Sequence, residues 1–257
     1  VNHDLLLKVE LCCRKLTNML VGKFAQQSKC NLSFSYSDEW LSYHSAFPIS
    51  LSLPLMEGEV SSFNVLNFIN NLLPDLTGER LELARSVGVQ SVDALTLLSK
   101  IGHDCTGSIS FTDCKEPPVV GWEYRELSAR QLDELVIQRK SFLAFFGDYR
   151  PCISGTQPKT TLMKLNEKWY APQGKSISSH IIKYPMGAIA QNNSVLDMRS
   201  SVENEFICTQ IAKKLGFNVP NVEIITTVSG AKALAVERFD RCFSSSVASR
   251  RHQEDFC

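Results

Sequence analysis

The stretch that decides the fold opens Ser179-His180-Ile181-Ile182-Lys183-Tyr184 and closes Ser201-Val202-Glu203-Asn204-Glu205-Phe206-Ile207-Cys208-Thr209-Gln210-Ile211-Ala212-Lys213-Lys214-Leu215-Gly216. The β-branched run predicts a strand over 179–184, with Lys183 on the face opposite Ile182. Residues 201–215 predict a helix closed by Gly216. On that helix Glu205 falls with Cys208, Ala212 and Leu215, while Glu203 falls with Gln210 and Lys214, towards water. Glu205 is therefore the inward carboxylate and the better partner for Lys183. A protein kinase neutralises its nucleotide's phosphates with such a strand lysine, held in turn by a helix glutamate. A solvated helix charge beside a strand-end lysine is the plainer alternative for either residue alone.

Two neighbours extend the pattern. Upstream, Cys152-Ile153-Ser154-Gly155-Thr156-Gln157-Pro158-Lys159 is small and polar and leads into a predicted strand, Thr160–Leu165. Small residues let backbone N–H groups approach phosphate oxygens; a plain hairpin turn is the alternative. Downstream, Ala233-Leu234-Ala235-Val236 is an apolar strand ending in Glu237-Arg238-Phe239-Asp240. A kinase hinge lies at such a strand end, where backbone groups bond adenine and an aromatic packs on it; a merely solvated strand end is the alternative. The ordered set of loop, strand lysine, helix glutamate and hinge is more specific than any member.

Before residue 150 the texture is mixed. Leu5–Leu11 and Asn31–Tyr36 predict strands. Residues 45–60 alternate Ile49, Leu51, Leu53 and Leu55 with polar residues, which predicts a half-buried extended segment. Helices are predicted at 63–73, 77–87 and 92–101, then a strand at 108–111 and a proline-containing loop at 115–121. Ser128 opens a helix with Leu132, Leu135 and Val136 on one side. The remaining predicted strands are 168–171, 222–227 and 231–238, and Ser244–Ser249 predicts a mobile loop. The fold class is α+β: a small mixed N-terminal subdomain at 1–148, then a kinase-like small lobe of antiparallel sheet plus one helix at 149–257.

The chain has 257 residues, 27 Lys+Arg and 27 Asp+Glu, so it carries no global field for nucleic acid or an anionic membrane. With 44% hydrophobic and 21% charged residues it reads as a soluble globular chain. It has nine cysteines, two of them adjacent, and no Cys-x-x-Cys pair, which excludes a zinc ribbon or thioredoxin motif. No metal site is expected. No secretory signal or run of 18 apolar residues is visible, and reduced thiols point to the cytoplasm.

At this point the sequence resembles the HipA family of bacterial serine/threonine kinase toxins. PISLSLPL (48–55), NLLPD (71–75) and LLSKIGHDCTGSISF (97–111) are similar to the family's N-terminal subdomain. ISGTQPK (153–159), HIIK (180–183), VENEF (202–206) and ALAVERFDR (233–241) are similar to its ATP-binding lobe, and HQEDFC (252–257) to the segment past the hinge. The resemblance implies ATP-dependent Ser/Thr phosphorylation, with Mg2+, of an aminoacyl-tRNA synthetase of the glutamyl type, and growth arrest as the outcome. It implies a HipB-like helix-turn-helix antitoxin as partner, with operator DNA contacted only through that antitoxin. Carried over residue by residue, the phosphate loop is Ser154, Gly155, Thr156, Gln157, Pro158 and Lys159. Lys183 is the phosphate lysine, Glu205 its helix partner, and Glu237, Arg238 and Phe239 the adenine-side hinge.

Two departures stand out. The family's autophosphorylation serine corresponds to Cys152, a poor phosphoacceptor, so that brake is expected to be absent or moved. After the hinge only Arg241 to Cys257 follow, with Asp255 as the one aspartate. No catalytic loop or pair of metal ligands can be built from it, so the chain by itself is expected to be inactive and to bind nucleotide weakly or not at all. The alternative is a truncated pseudokinase that sequesters the antitoxin or a partner lobe. Either reading leaves an apolar lobe face for self-association or a large-lobe partner. An unrelated α+β protein is the remaining option.

Overall fold

A computed structural model describes residues 5–13, 16–28, 31–61, 63–113, 121–138, 149–191, 194–244 and 247–254. Most of the predicted loop at 115–121 lies outside them. The chain divides into two compact units, the first formed by Val1–Val120, Pro151–Thr156 and Asp240–Cys257, the second by Gly121–Arg150 and Gln157–Phe239.

In the first unit, β1 (Leu5–Cys13), β2 (Leu16–Ser28), β3 (Asn31–Tyr36), β4 (Glu59–Ser61) and β5 (Ile109–Asp113) form an antiparallel sheet of order β4-β3-β2-β1-β5. The helices are α1 (Asp38–Leu41), α2 (Phe63–Asn70), α3 (Thr77–Ser86) and α4 (Ala94–Ile101). Ser37 caps α1 by accepting from Trp40 N–H, and Asp93 caps α4 by accepting from Thr96 N–H at 2.9 Å. Val65 and Ile69 of α2 join Leu97 and Leu98 of α4 in a buried cluster with Phe24, Phe34, Trp40 and Phe111. The extended reading of 45–60 gives way to a turn, in which Leu53 N–H bonds the Ser50 carbonyl. The Tyr36 hydroxyl accepts from Ile49 N–H and donates to the Leu53 carbonyl, so both ends of the turn are held inward. Ile49 and Leu53 are buried, whereas Leu51 at the tip is 82% exposed.

In the second unit, β6 (Glu123–Glu126), β7 (Lys159–Leu165), β8 (Lys168–Gln173), β9 (His180–Lys183), β12 (Val222–Thr226) and β13 (Lys232–Glu237) form a sheet of order β12-β13-β9-β7-β8-β6, with every pair antiparallel. A side hairpin pairs β10 (Gly187–Gln191) with β11 (Ser194–Met198). Leu135 and Val136 of α5 (Ala129–Gln138) join Leu162, Ala171, Ile182, Ala233 and Ala235 in this unit's core. Asp133 also ties α5 to the β12–β13 turn by accepting hydrogen bonds from Thr227 and Ser229. Helix α6 (Ser201–Lys214) packs on β12 and β13.

The sequence places one boundary at 148/149, whereas the chain crosses between units four times. The crossings follow from packing. Strand β6 pairs with β8 and α5 supplies part of the second core, so 121–150 belong with the sheet that follows them. Residues 240–254 return to the first unit. There Arg250 donates to the carbonyls of Ile109 (3.3 Å) and His103 (2.6 Å), and Arg241 enters a buried ion network. Nor is 244–249 simply a loop: β14 (Arg241–Ser244) pairs with β15 (Val247–Arg250).

Candidate nucleotide site

Strand β9 places Lys183 directly opposite both Lys159 of β7 and Leu234 of β13. Two lysines facing each other across a pair of strands repel, and Glu205 answers that charge: Lys183 Nζ lies 2.5 Å from Glu205 Oε1. The two side chains are 24% and 33% exposed, partly withdrawn from water yet open to a ligand. The end of the loop is held against the same strand. Tyr184 N–H donates to the Pro158 carbonyl at 2.9 Å, and Gln157 Nε2 donates to the Tyr184 carbonyl at 3.1 Å. Gly155 sits at φ 98°, a conformation that favours glycine.

Helix α6 selects Glu205 for a different reason than its sequence suggests. Its inward side carries Ser201, Val202, Glu205, Phe206, Thr209 and Ala212, while Cys208 and Leu215 are exposed. Glu205 is thus grouped correctly with Ala212 but wrongly with Cys208 and Leu215. Glu203 does not face bulk water alone: it accepts from Lys232 Nζ at 2.8 Å. Ile207, Ile211 and Leu215 form an exposed apolar stripe on the other side of the helix.

At the expected hinge the three residues do different work. Glu237 N–H donates to the Asn221 carbonyl at 2.9 Å, and Glu237 Oε2 accepts from Asn221 Nδ2 at 2.7 Å. Arg238 is buried, with its N–H on the Ser179 carbonyl (2.9 Å) and its guanidinium on Ser178 Oγ (2.9 Å). The backbone donors of Glu237 and Arg238 are therefore committed to the lobe. Phe239, 61% exposed, is the residue presented at this strand end. The supporting roles of Asn221 and Ser178 carry no motif or periodic signal in the sequence.

The loop residues are divided. Ser154, Gly155 and Thr156 belong to the first unit, whereas Gln157, Pro158, Lys159, Lys183, Glu205 and the hinge belong to the second. Cys152 is buried in the first unit. Among the described residues no group of three or more His, Cys, Asp or Glu could hold a metal ion. No helix among them is long and apolar enough to cross a membrane.

Two half-buried histidines make stability depend on pH. Burial pulls the His180 imidazole below its ordinary value, against the opposing pull of Glu237 and Glu223. Burial acts on His252 in the same direction. The unfolded chain takes up these protons near pH 6.5, so stability is fully present above that value and falls as pH drops through it towards the lower folded values. Each histidine contributes a slope of at most about 1.4 kcal/mol per pH unit. Urea midpoints between pH 7.5 and 5.5 should fall accordingly, and His180→Asn should flatten the decline; an unaltered slope would contradict the assignment.

The antiparallel sheet, the helix packed on two of its strands and the lysine–glutamate pair define a protein-kinase-like small lobe. Comparison with known proteins narrows the class. A family model described as the HipA N-terminal domain matches residues 15–112, and one described as the HipA-like C-terminal domain matches residues 152–257. The chain is 30% identical over 247 residues to the serine/threonine-protein kinase toxin HipA of Shewanella oneidensis, covering 94% of this chain and 53% of that protein. It is 28% identical over 246 residues to Y4mE of Sinorhizobium fredii, covering 93% and 56%. In solved structures it matches a chain of the Shewanella oneidensis complex of HipA, HipB and operator DNA, with TM-score 0.71 and 28% identity, covering 96% of this chain and 54% of that one. The chain belongs to the HipA family of toxin kinases. It spans about half the length of the curated relatives it matches.

Proposed function

We propose that this chain carries the N-terminal subdomain and the ATP-binding small lobe of a HipA-like Ser/Thr kinase toxin. The observation that carries the reading is the Lys183–Glu205 pair at 2.5 Å, on the sheet face where a kinase neutralises phosphates. In this reading the backbone of Ser154–Lys159 covers the phosphates, Lys183 binds them as a point charge, and Glu205 keeps the lysine's stem aimed inward. Adenine lies at the strand end beside Phe239. Mg2+ arrives with ATP, its ligands lying outside the residues described.

The partner is a HipB-like helix-turn-helix antitoxin, which carries the operator-DNA contact for a chain of zero net charge. The setting is the cytoplasm. The protein substrate is an aminoacyl-tRNA synthetase of the glutamyl type, whose phosphorylation by the whole protein halts growth.

A fluorescent adenine nucleotide titrated into the whole protein tests the hinge assignment. Stacking of a base on an aromatic ring is worth about 1–3 kcal/mol, so Phe239→Ala should weaken binding by roughly tenfold. Equal affinity of Phe239→Ala and the parent protein would remove adenine from that strand end.

A further inference from the structure

Cys105 and Cys152 stand 47 residues apart in sequence, yet their Sγ atoms lie 2.7 Å apart, with Cys105 S–H donating to Cys152. Neither is in a disulfide, and both are fully buried. A buried cysteine more often acts as a small apolar side chain. Non-bonded heavy atoms in a core, however, pack at about 3.5–4.0 Å, while a disulfide bond is about 2.05 Å long. These sulfurs are therefore nearer to bonding distance than to packing distance. Both are also held from the outside: Cys152 Sγ donates to the Leu72 carbonyl at 3.2 Å, and the Cys105 carbonyl accepts from the buried Arg241 at 2.6 Å.

The position of Cys152 in the chain gives the pair a consequence. Pro151–Thr156 is a six-residue strap that belongs to the first unit, while the residues on both sides of it, Gly121–Arg150 and Gln157–Phe239, belong to the second. Cys152 anchors that strap two residues before Ser154.

We infer that Cys105 and Cys152 are a reversible disulfide site, oxidised by hydrogen peroxide, that tethers the strap leading into the loop Ser154–Lys159. One thiol attacks peroxide, breaking the O–O bond to give a sulfenic acid and water. The neighbouring thiol then displaces the sulfenic oxygen, forming the S–S bond and a second water. Two thiol protons leave in the waters, and the two sulfurs together lose the two electrons that peroxide gains. A small oxidant suits two sulfurs with no exposed surface, and a transient, redox-sensing role is the usual one for a disulfide in a reducing compartment. The bond replaces a hydrogen-bonded anchor by a covalent one and stiffens the loop's first half. This rests on the proposed nucleotide reading only for its effect on ligand binding.

The full chain is treated with peroxide, alkylated under denaturing conditions and digested without reductant. The expected product is a peptide pair joining Cys105 to Cys152 that separates on reduction, together with amide exchange at 153–156 slowed by about tenfold. Cys105→Ser and Cys105→Ala should each abolish both signals. If peroxide oxidises the exposed Cys208 while Cys105 and Cys152 remain alkylatable, the site is overturned. A link without slower exchange overturns the tether. Nucleotide titration of the oxidised and reduced forms keeps the two readings apart, since a chain that links but binds nucleotide in neither form defeats the ligand and leaves the disulfide standing.

Discussion

Lys183→Met is expected to weaken adenine-nucleotide binding by roughly 10- to 100-fold, because a hydrogen bond to a charged group contributes about 1.5–3 kcal/mol. In the whole protein the same change is expected to lower phosphoryl transfer by on the order of 10²–10³, the usual cost of losing one preorganised electrostatic contact to the reacting group. Folding should hardly respond. The Lys183–Glu205 pair is partly exposed, and pairs of that kind contribute about 0–1 kcal/mol. Lys183→Arg should not restore binding, since a planar guanidinium does not occupy the place of a compact ammonium at the end of a shorter reach.

The control is built into the same helix. Glu203 of α6 pairs with Lys232 at 2.8 Å, a similar ion pair on a different strand. Lys232→Met should leave nucleotide affinity unaltered. Equal losses in Lys183→Met and Lys232→Met would mean that charge in general, and not this position, governs binding. Glu205→Gln should fall between the two, because it removes the lysine's anchor and keeps the ammonium.

The legibility of this site in the sequence was uneven, and the unevenness has physical causes. Lys183 and Glu205 could be paired because each sits in an element with a strong local signal, a β-branched run and a long helix closed by glycine. The helix face could not be read from apolar spacing, because α6 leaves Ile207, Ile211 and Leu215 exposed while the half-buried Glu205 reaches Lys183 of the sheet. Strand β6, Glu123-Tyr124-Arg125-Glu126, lies at a sheet edge and is mostly exposed, so it has no alternation to display. Its pairing with β8 moves the unit boundary, since strand partners are chosen by register across the fold and not by sequence distance. The inward-held turn at 50–53 depends on the Tyr36 hydroxyl, which no local pattern announces. Burial pushes that hydroxyl's pKa up to about 12.

Arg241 is the extreme case of a residue that sequence reading passes over, and its replacement carries the largest expected effect on stability. In ALAVERFDR it reads as one charge among several. In the fold its side chain is fully buried, donating to Asp104 at 2.9 Å, Asp240 at 2.7 Å and the carbonyls of Cys105 (2.6 Å) and Gly107 (2.9 Å). Asp240 also accepts from Gly107 N–H at 2.8 Å. Arg241→Met leaves two carboxylates in the interior without their cation, which should cost about 3–5 kcal/mol. That is a large share of the roughly 5–15 kcal/mol that holds an ordinary domain together.

Thermal and urea unfolding followed through Trp40, buried in the same unit, should register the loss. Arg241→Lys should recover little, because three donors on one nitrogen cannot reach two carboxylates and two carbonyls at once. Replacing Asp104, Asp240 and Arg241 together by apolar residues of similar size should recover much of it, because no charge then remains to be desolvated. A triple variant as unstable as Arg241→Met would assign the loss to packing instead. The two substitutions thus carry opposite signatures. Lys183→Met should alter binding with folding intact, whereas Arg241→Met should loosen residues 240–254, the segment that begins directly after Phe239, and alter binding only through the fold that carries it.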